Sequence, residues 1–196
     1  MLGAIKHALA NLANGNGRDA RQAFWFWVLF VVILRFLGGL AISIPLTAKI
    51  ASAAIDAANS GAGKDPALIQ AMMTELVTQD LPRMVWLGMG IAIVSMLLLC
   101  TSLIRRLHDS DLSGWLVLIP GAISAFVIAR MPAQIEVATT LMKGLKPGAQ
   151  LDPGAIMQAQ SSMALLAWVP VVLVIWFGLR KSSEGPNRFG DAPVRF

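Results

Sequence analysis

Charge is scarce in this chain. Asp, Glu, Lys and Arg together make up 14% of the 196 residues, against 56% hydrophobic residues. A soluble domain usually carries about 25% charged and about 45–50% apolar residues. One core of this size would struggle to hide so much apolar surface from water, whereas a bilayer solvates it. A mean hydropathy of +0.67 points the same way. Cysteine is nearly absent too. Cys100 has no second thiol to pair with, which excludes an intrachain disulfide and a cysteine-built zinc cluster. It lies inside an apolar run and reads as a packing residue. The opening residues lack the continuous apolar core and small-residue cleavage site of a signal peptide, so the first long apolar run is expected to act as a retained anchor.

Basic residues outnumber acidic ones, 16 to 11, giving a formal charge of +5. They sit beside apolar runs rather than on a separate basic face interleaved with aromatics. That placement argues against nucleic acid and favours anionic lipid headgroups.

What is present is a set of four apolar runs. They cover about 24–44, 84–104, 113–130 and 163–179, and a span needs about 20 residues. The third is the weakest and carries Pro120-Gly121, which predicts a kinked or re-entrant segment. The expected architecture is therefore an all-α integral membrane protein. It has four transmembrane helices in a single domain over 1–196, with a cytoplasmic tail at 180–196. Lys6, Arg18, Arg21, Arg105, Arg106, Arg180, Lys181, Arg188 and Arg195 fall on one side of this scheme. Lys49, Lys64, Arg83, Lys143 and Lys146 fall on the other. The richer side is the inner one, so both termini are expected in the cytoplasm.

Amphipathic helices are expected in the two extracytoplasmic connections. Asp65-Pro66 reads as an N-cap followed by proline at the first helical position. Leu68, Ile69, Met72, Met73, Leu76 and Val77 then match the spacing of one helix face. Ile135, Ala138, Leu141 and Met142 do the same before Gly144. Asp65 to Met72 (DPALIQAM) and Asp152 to Ala159 (DPGAIMQA) also form a faint repeat, consistent with two parallel halves or with convergent capping.

Three motifs fall at the inner ends of the runs. They are Gly17-Arg18-Asp19-Ala20-Arg21 leading to Phe24-Trp25, the connector Arg105-Arg106-Leu107-His108-Asp109-Ser110-Asp111-Leu112-Ser113-Gly114-Trp115, and Gly185-Pro186-Asn187-Arg188-Phe189-Gly190. In order and spacing they resemble the DUF805 family of small bacterial inner-membrane proteins, over essentially the whole chain. The resemblance implies a multi-span bacterial membrane protein and supplies no activity. Two departures stand out. Asp111 occupies a position where the family usually has glycine, so no special backbone turn is expected there, and Asp191-Ala192-Pro193 replaces the usual Pro-Asp-Pro.

Arg105, Arg106 and His108 suit a helix C-terminus, and Ser113 or Asp111 can cap the third run. The tail turn, well past the last run, needs a surface to dock on. Connector and tail are therefore expected to meet the N-terminal pair. The candidate cluster is Arg18, Asp19, Arg21, Arg105, Arg106, His108, Asp109, Asp111, Asn187 and Arg188. Its guanidinium groups need Asp19, Asp109 and Asp111, or lipid phosphates, between them, and the planar arginine fork suits either partner. Arg35, in the middle of the first run, is expected to be buried in the bundle or solvated by a cavity.

The leading expectation is a non-enzymatic membrane component that binds anionic headgroups, or a protein partner or second copy, through this face. A small-solute transporter or channel is the alternative, although no acidic residue lies well inside any run to serve a proton relay. A lipid-acting enzyme using His108, Asp109 and Asp111 is the third. These residues form no recognisable catalytic constellation, and no cofactor or metal is expected.

Overall fold

A computed structural model describes residues 1–60, 65–143 and 153–193. It is all-helical, in keeping with the expected class. The helices are α1 (Leu2–Ala10), α2 (Arg21–Asn59), α3 (Pro66–Asp109), α4 (Leu118–Lys143) and α5 (Pro153–Leu179). A 3-10 turn at Gly114–Val117 leads into α4. Among the described residues the sole β-type pairing is an isolated bridge between Asn187 and Gly190.

Three helical stretches, Arg21–Asn59, Ala67–Asp109 and Gly114–Thr140, are long and apolar enough to cross a membrane. Ala164–Leu179, within α5, is a shorter apolar stretch. The helices expected as separate elements in the connections are continuous with the spans. Residues 46–59 extend α2, 66–83 open α3, and 135–142 extend α4. Pro45, Pro82 and Pro132 lie inside these helices without ending them. A proline removes one backbone bond, but strong helix formers on either side, such as the alanine-rich stretch after Pro45, carry the helix on.

Pro120 behaves differently. It falls in the first turn of α4, where its missing N–H is not needed. Asp65 caps α3, its Oδ1 accepting from the Ala67 amide at 2.9 Å and the Leu68 amide at 3.4 Å. Asp152 and Gly144, the other proposed boundary residues, lie outside the described residues.

The chain divides into two compact units. The first comprises Met1–Phe36, Ala92–Ile128 and Met163–Phe196, the second Leu37–Ile91 and Ala129–Ser162. In the first unit, Phe24, Leu103, Leu107 and Phe177 form one buried cluster, with Trp25, Val28 and Leu112 packed on it. A second cluster joins Ala8 of α1 to Trp27 and Val31 of α2, flanked by Ile5, Phe30, Leu98 and Leu99. The Trp27 indole donates to the Leu98 carbonyl at 2.9 Å, so its polar edge is satisfied inside the apolar contact. Gly178 allows α5 to approach α2 closely, since a Cβ there would lie 2.7 Å from the Phe24 ring. In the second unit, Gly38 packs against Ile91, and Lys49 pairs with Asp80 at 2.6 Å.

A buried arginine and aspartate network

The C-terminal end of α3 is polar because its last turns read Arg-Arg-Leu-His-Asp. The helix ends in a Schellman arrangement. The Leu112 amide donates to the Leu107 carbonyl at 2.9 Å and the Asp111 amide to the His108 carbonyl at 3.0 Å. Asp111 has φ 55°, the left-handed conformation that closes such a cap. The special turn not expected from the sequence is therefore present. Aspartate supports it because its short polar side chain tolerates this region better than most side chains.

Asp109 is fully buried at this end. Its Oδ1 accepts from Arg18 Nε at 3.2 Å and Nη2 at 3.0 Å. Its Oδ2 accepts from Arg106 Nη1 and from the Ser182 hydroxyl. Arg18 is buried as well and reaches further into the tail. It donates to the Ser183 carbonyl at 3.0 Å, Gly185 at 2.7 Å and Gly190 at 3.4 Å. Gly185 and Gly190 have φ of 66° and 128°, backbone that side-chain-bearing residues rarely adopt, so glycine suits both places.

Arg106, with no exposure, closes the other side. Besides Asp109 it donates to the Gly178 carbonyl at 3.2 Å and to the Arg180 carbonyl. Arg21, which is exposed, donates to the same Arg180 carbonyl at 3.1 Å. These oxygens belong to the end of α5, where helical carbonyls lack partners and the backbone dipole favours cations.

A second carboxylate organises the N-terminal segment. Asp19, 3% exposed, accepts from Arg105 Nε at 2.9 Å and from the Ser102 hydroxyl at 2.9 Å, with His7 Nε2 at 3.3 Å. Arg105 Nη1 donates to the Asn11 and Asn14 carbonyls at 2.8 and 2.7 Å. The Asp19 amide donates to the Arg105 carbonyl, so backbone and side chain register the same contact.

The tail turn forms a third, outer layer. Asn187 donates to the His108 carbonyl at 2.9 Å and accepts from the Phe189 amide at 2.9 Å. The Phe189 ring stacks on His108 with centroids 3.9 Å apart, and the Arg188 guanidinium lies 4.7 Å from the Phe189 centroid. Arg188 also pairs with Asp111 at 3.1 Å, both side chains being more than half exposed.

All ten residues of the candidate cluster thus gather at the end of α3. Carboxylates, hydroxyls and backbone carbonyls of the protein stand between the guanidinium groups. Sequence reasoning missed the hydroxyls of Ser102, Ser182 and Ser183 and the reach of His7 to Asp19. Isolated serines and a histidine on a short helix carry no spacing signal that would mark them. Arg35 is exposed on α2, as is every residue from 32 to 37, and is not among the residues this chain buries; the buried stripe of this helix in the first unit stops at Val31.

The network cannot readily run acid–base chemistry. His108 lies against Phe189, with its Nδ1 3.3 Å from the Gly17 carbonyl. Asp109, one residue on, is held by two arginines. Among the described residues no group of three or more His, Cys, Asp or Glu could hold a metal ion.

Residues 12–191 match the family described as "Protein of unknown function (DUF805)", and the chain belongs to that family. No curated protein and no solved structure matches it.

Proposed function

We propose that this DUF805 member is a four-span protein of the bacterial inner membrane with both termini cytoplasmic. Its role is non-enzymatic: binding anionic lipid headgroups at the face that carries the arginine network. The four-span part rests on closure of the network. Arg18, Asp109 and the carbonyls of Ser183 and Gly185 are in hydrogen-bond contact and must share one side of a membrane. The chain between Arg18 and Asp109 therefore crosses an even number of times, which α2 and α3 supply. The chain between Asp109 and Ser183 does the same, so if α4 crosses, α5 must return. The 27 residues of α5 are uncharged and about 40 Å long at 1.5 Å per residue, enough for the return.

The single observation that carries the lipid reading is the excess of exposed basic over exposed acidic residues at the end that holds the network. Asp19 and Asp109 are buried, while Lys6, Arg21, Arg180 and Lys181 are exposed at the same end. Glu184 and Asp191 are the exposed acids there besides Asp111, which Arg188 occupies. The buried carboxylates are matched by the buried Arg18, Arg105 and Arg106, so the exposed excess of Lys and Arg over acids is left for phosphate headgroups, at about 1 kcal/mol per Lys or Arg near an anionic surface. A transporter gains little from Arg35, which is exposed on α2 rather than enclosed by the helices of this chain, and the enzyme reading loses Asp109 to its arginines.

Melting of the purified protein with added phosphatidylglycerol or phosphatidylcholine tests this. Phosphatidylglycerol should raise the melting temperature more, and the Arg180→Gln/Lys181→Gln variant should lose at least half of that difference. Equal shifts for the two lipids, or an undiminished difference in the variant, would remove headgroup binding from this face.

A further inference from the structure

α1 offers an interaction surface outside the network. Ala4 and Ala8 are buried, and Ala8 clusters with Trp27 and Val31, with Ile5, Leu98 and Leu99 packed against that cluster. Leu98 lies seven residues before Arg105, and Val31 ten after Arg21. At 1.5 Å per residue these contacts sit about 10–15 Å below the arginine level. The C-terminal end of α1 is held at that level, through the Asn11 carbonyl bonded to Arg105 and His7 near Asp19. α1 therefore runs beside the first turns of the spans rather than above them.

Its two free flanks differ. At 100° per residue, Ile5, Leu9 and Leu2 succeed one another on one side of the Ala4–Ala8 face. Lys6, Ala10, Gly3 and His7 complete the other. Leu2 is 74% and Leu9 47% exposed. The exposed surface of α2 and α3 at similar depth is also apolar, with Leu29, Val32, Val94 and Leu97.

We infer that α1 is sunk in the leaflet on the network side, with Leu2 and Leu9 among lipid acyl chains and Lys6 at the headgroups. Apolar faces of such helices lie about 5–10 Å below the headgroup boundary. The occupant of the exposed leucine flank is lipid, because the exposed surface of the spans at similar depth is apolar as well, and Lys6, beside Leu2 and turned away from the Ala4–Ala8 face, can extend its ammonium to the headgroups. This goes beyond headgroup binding and rests only on the chain being embedded in a membrane.

Spin labels at positions 9 and 188, each in a Cys100→Ala background, test it in the full chain reconstituted into phosphatidylcholine vesicles. The label at 9 should collide with dissolved oxygen and be shielded from a water-soluble nickel complex. The label at 188 should show the reverse. Nickel access at 9 equal to that at 188 would place α1 in water, and shielding of 9 from both reagents would mean that protein covers it; either result overturns the inference. Repeating the measurement with phosphatidylglycerol present should leave the depth of position 9 unchanged. Failure of headgroup binding appears instead as the missing melting difference, so the two outcomes are separable.

Discussion

The two units solve the problem of charge in an apolar chain in opposite ways. In the first, the buried charged residues among those described are Arg18, Asp19, Arg105, Arg106 and Asp109, and each is bonded to other protein groups. In the second, Lys49 and Asp80 form an ion pair with the lysine side chain half exposed. Hydrophobic burial differs as well. Ala57 is the one buried hydrophobic residue of the second unit among those described, while the first holds two packed clusters. Where lipid solvates apolar side chains, protein packing contributes little, and van der Waals fit and polar contacts must hold helices together. The arginine network supplies such contacts in the first unit.

The comparison breaks most readily at Asp109. Replacing it by alanine leaves Arg18 and Arg106 buried beside each other with no carboxylate between them. Removing one partner of a buried ion pair costs about 3–5 kcal/mol. Asp109→Ala should therefore unfold the first unit at much lower denaturant or temperature. Adding Arg18→Ala should recover part of the loss, since it removes one uncompensated charge. Additive losses in the double variant would mean that the pair is not coupled.

Arg106→Lys comes next. Lysine keeps the charge but cannot reach Asp109, Gly178 and Arg180 at once, as the guanidinium does. With about 1.5–3 kcal/mol for a hydrogen bond to a charged group, a loss of about 2 kcal/mol is expected in a denaturant titration. Arg106 has no exposure, so anionic lipid should stabilise variant and wild type alike. A lysine variant as stable as the wild type would reduce this arginine to a topology signal.

Much of the network is legible in the sequence. The motifs name its members because Arg, Asp and His at the ends of long apolar runs have few reasons to be there. The all-helical class comes from the runs themselves. Other features are written nowhere locally. The helix capped by Asp65 begins where the sequence places it, but the continuity of the connecting helices with the spans is not legible, because a proline looks like a boundary there, although Ala-rich flanks carry α2 past Pro45. Asp111 looks incompatible with a special turn, yet that turn is set by the helix ending around it, through Leu107 and Leu112. Arg35 belongs in the interior if the cost of an arginine at that depth in lipid is the only guide. The sequence does not show which residues of α2 find a packing partner.

Asp111 gives the third prediction. Asp111→Gly relieves the left-handed backbone and loses only an exposed pair with Arg188, worth about 0–1 kcal/mol. It should melt within a few degrees of the wild type. Asp111→Val forces a β-branched side chain into the same conformation and should cost about 1–2 kcal/mol. Equal melting of the two variants would mean that the cap does not depend on this φ.

The smallest effect belongs to the second unit, and it sharpens the contrast. Lys49 and Asp80 are 2.6 Å apart, closer than Arg18 to Asp109 or Arg105 to Asp19, yet the lysine side chain is 51% exposed and that of Asp80 18%. The distance gives no measure of strength. Water and salt reach the ammonium in both the paired and the separated state, so little is gained on pairing, and holding the long lysine side chain in one rotamer opposes it. Pairs of this kind contribute about 0–1 kcal/mol. Lys49→Met should shift the unfolding midpoint by less than a third of the Asp109→Ala effect, and raising the salt concentration should shrink the difference between Lys49→Met and the wild type. The Asp109 network should hold its effect across the same salt range, because its ions are screened by protein rather than by solvent. If Lys49→Met proves as damaging as Asp109→Ala, burial is not what separates the two units, and the pair in the second unit would have to be shielded by something the chain itself does not provide.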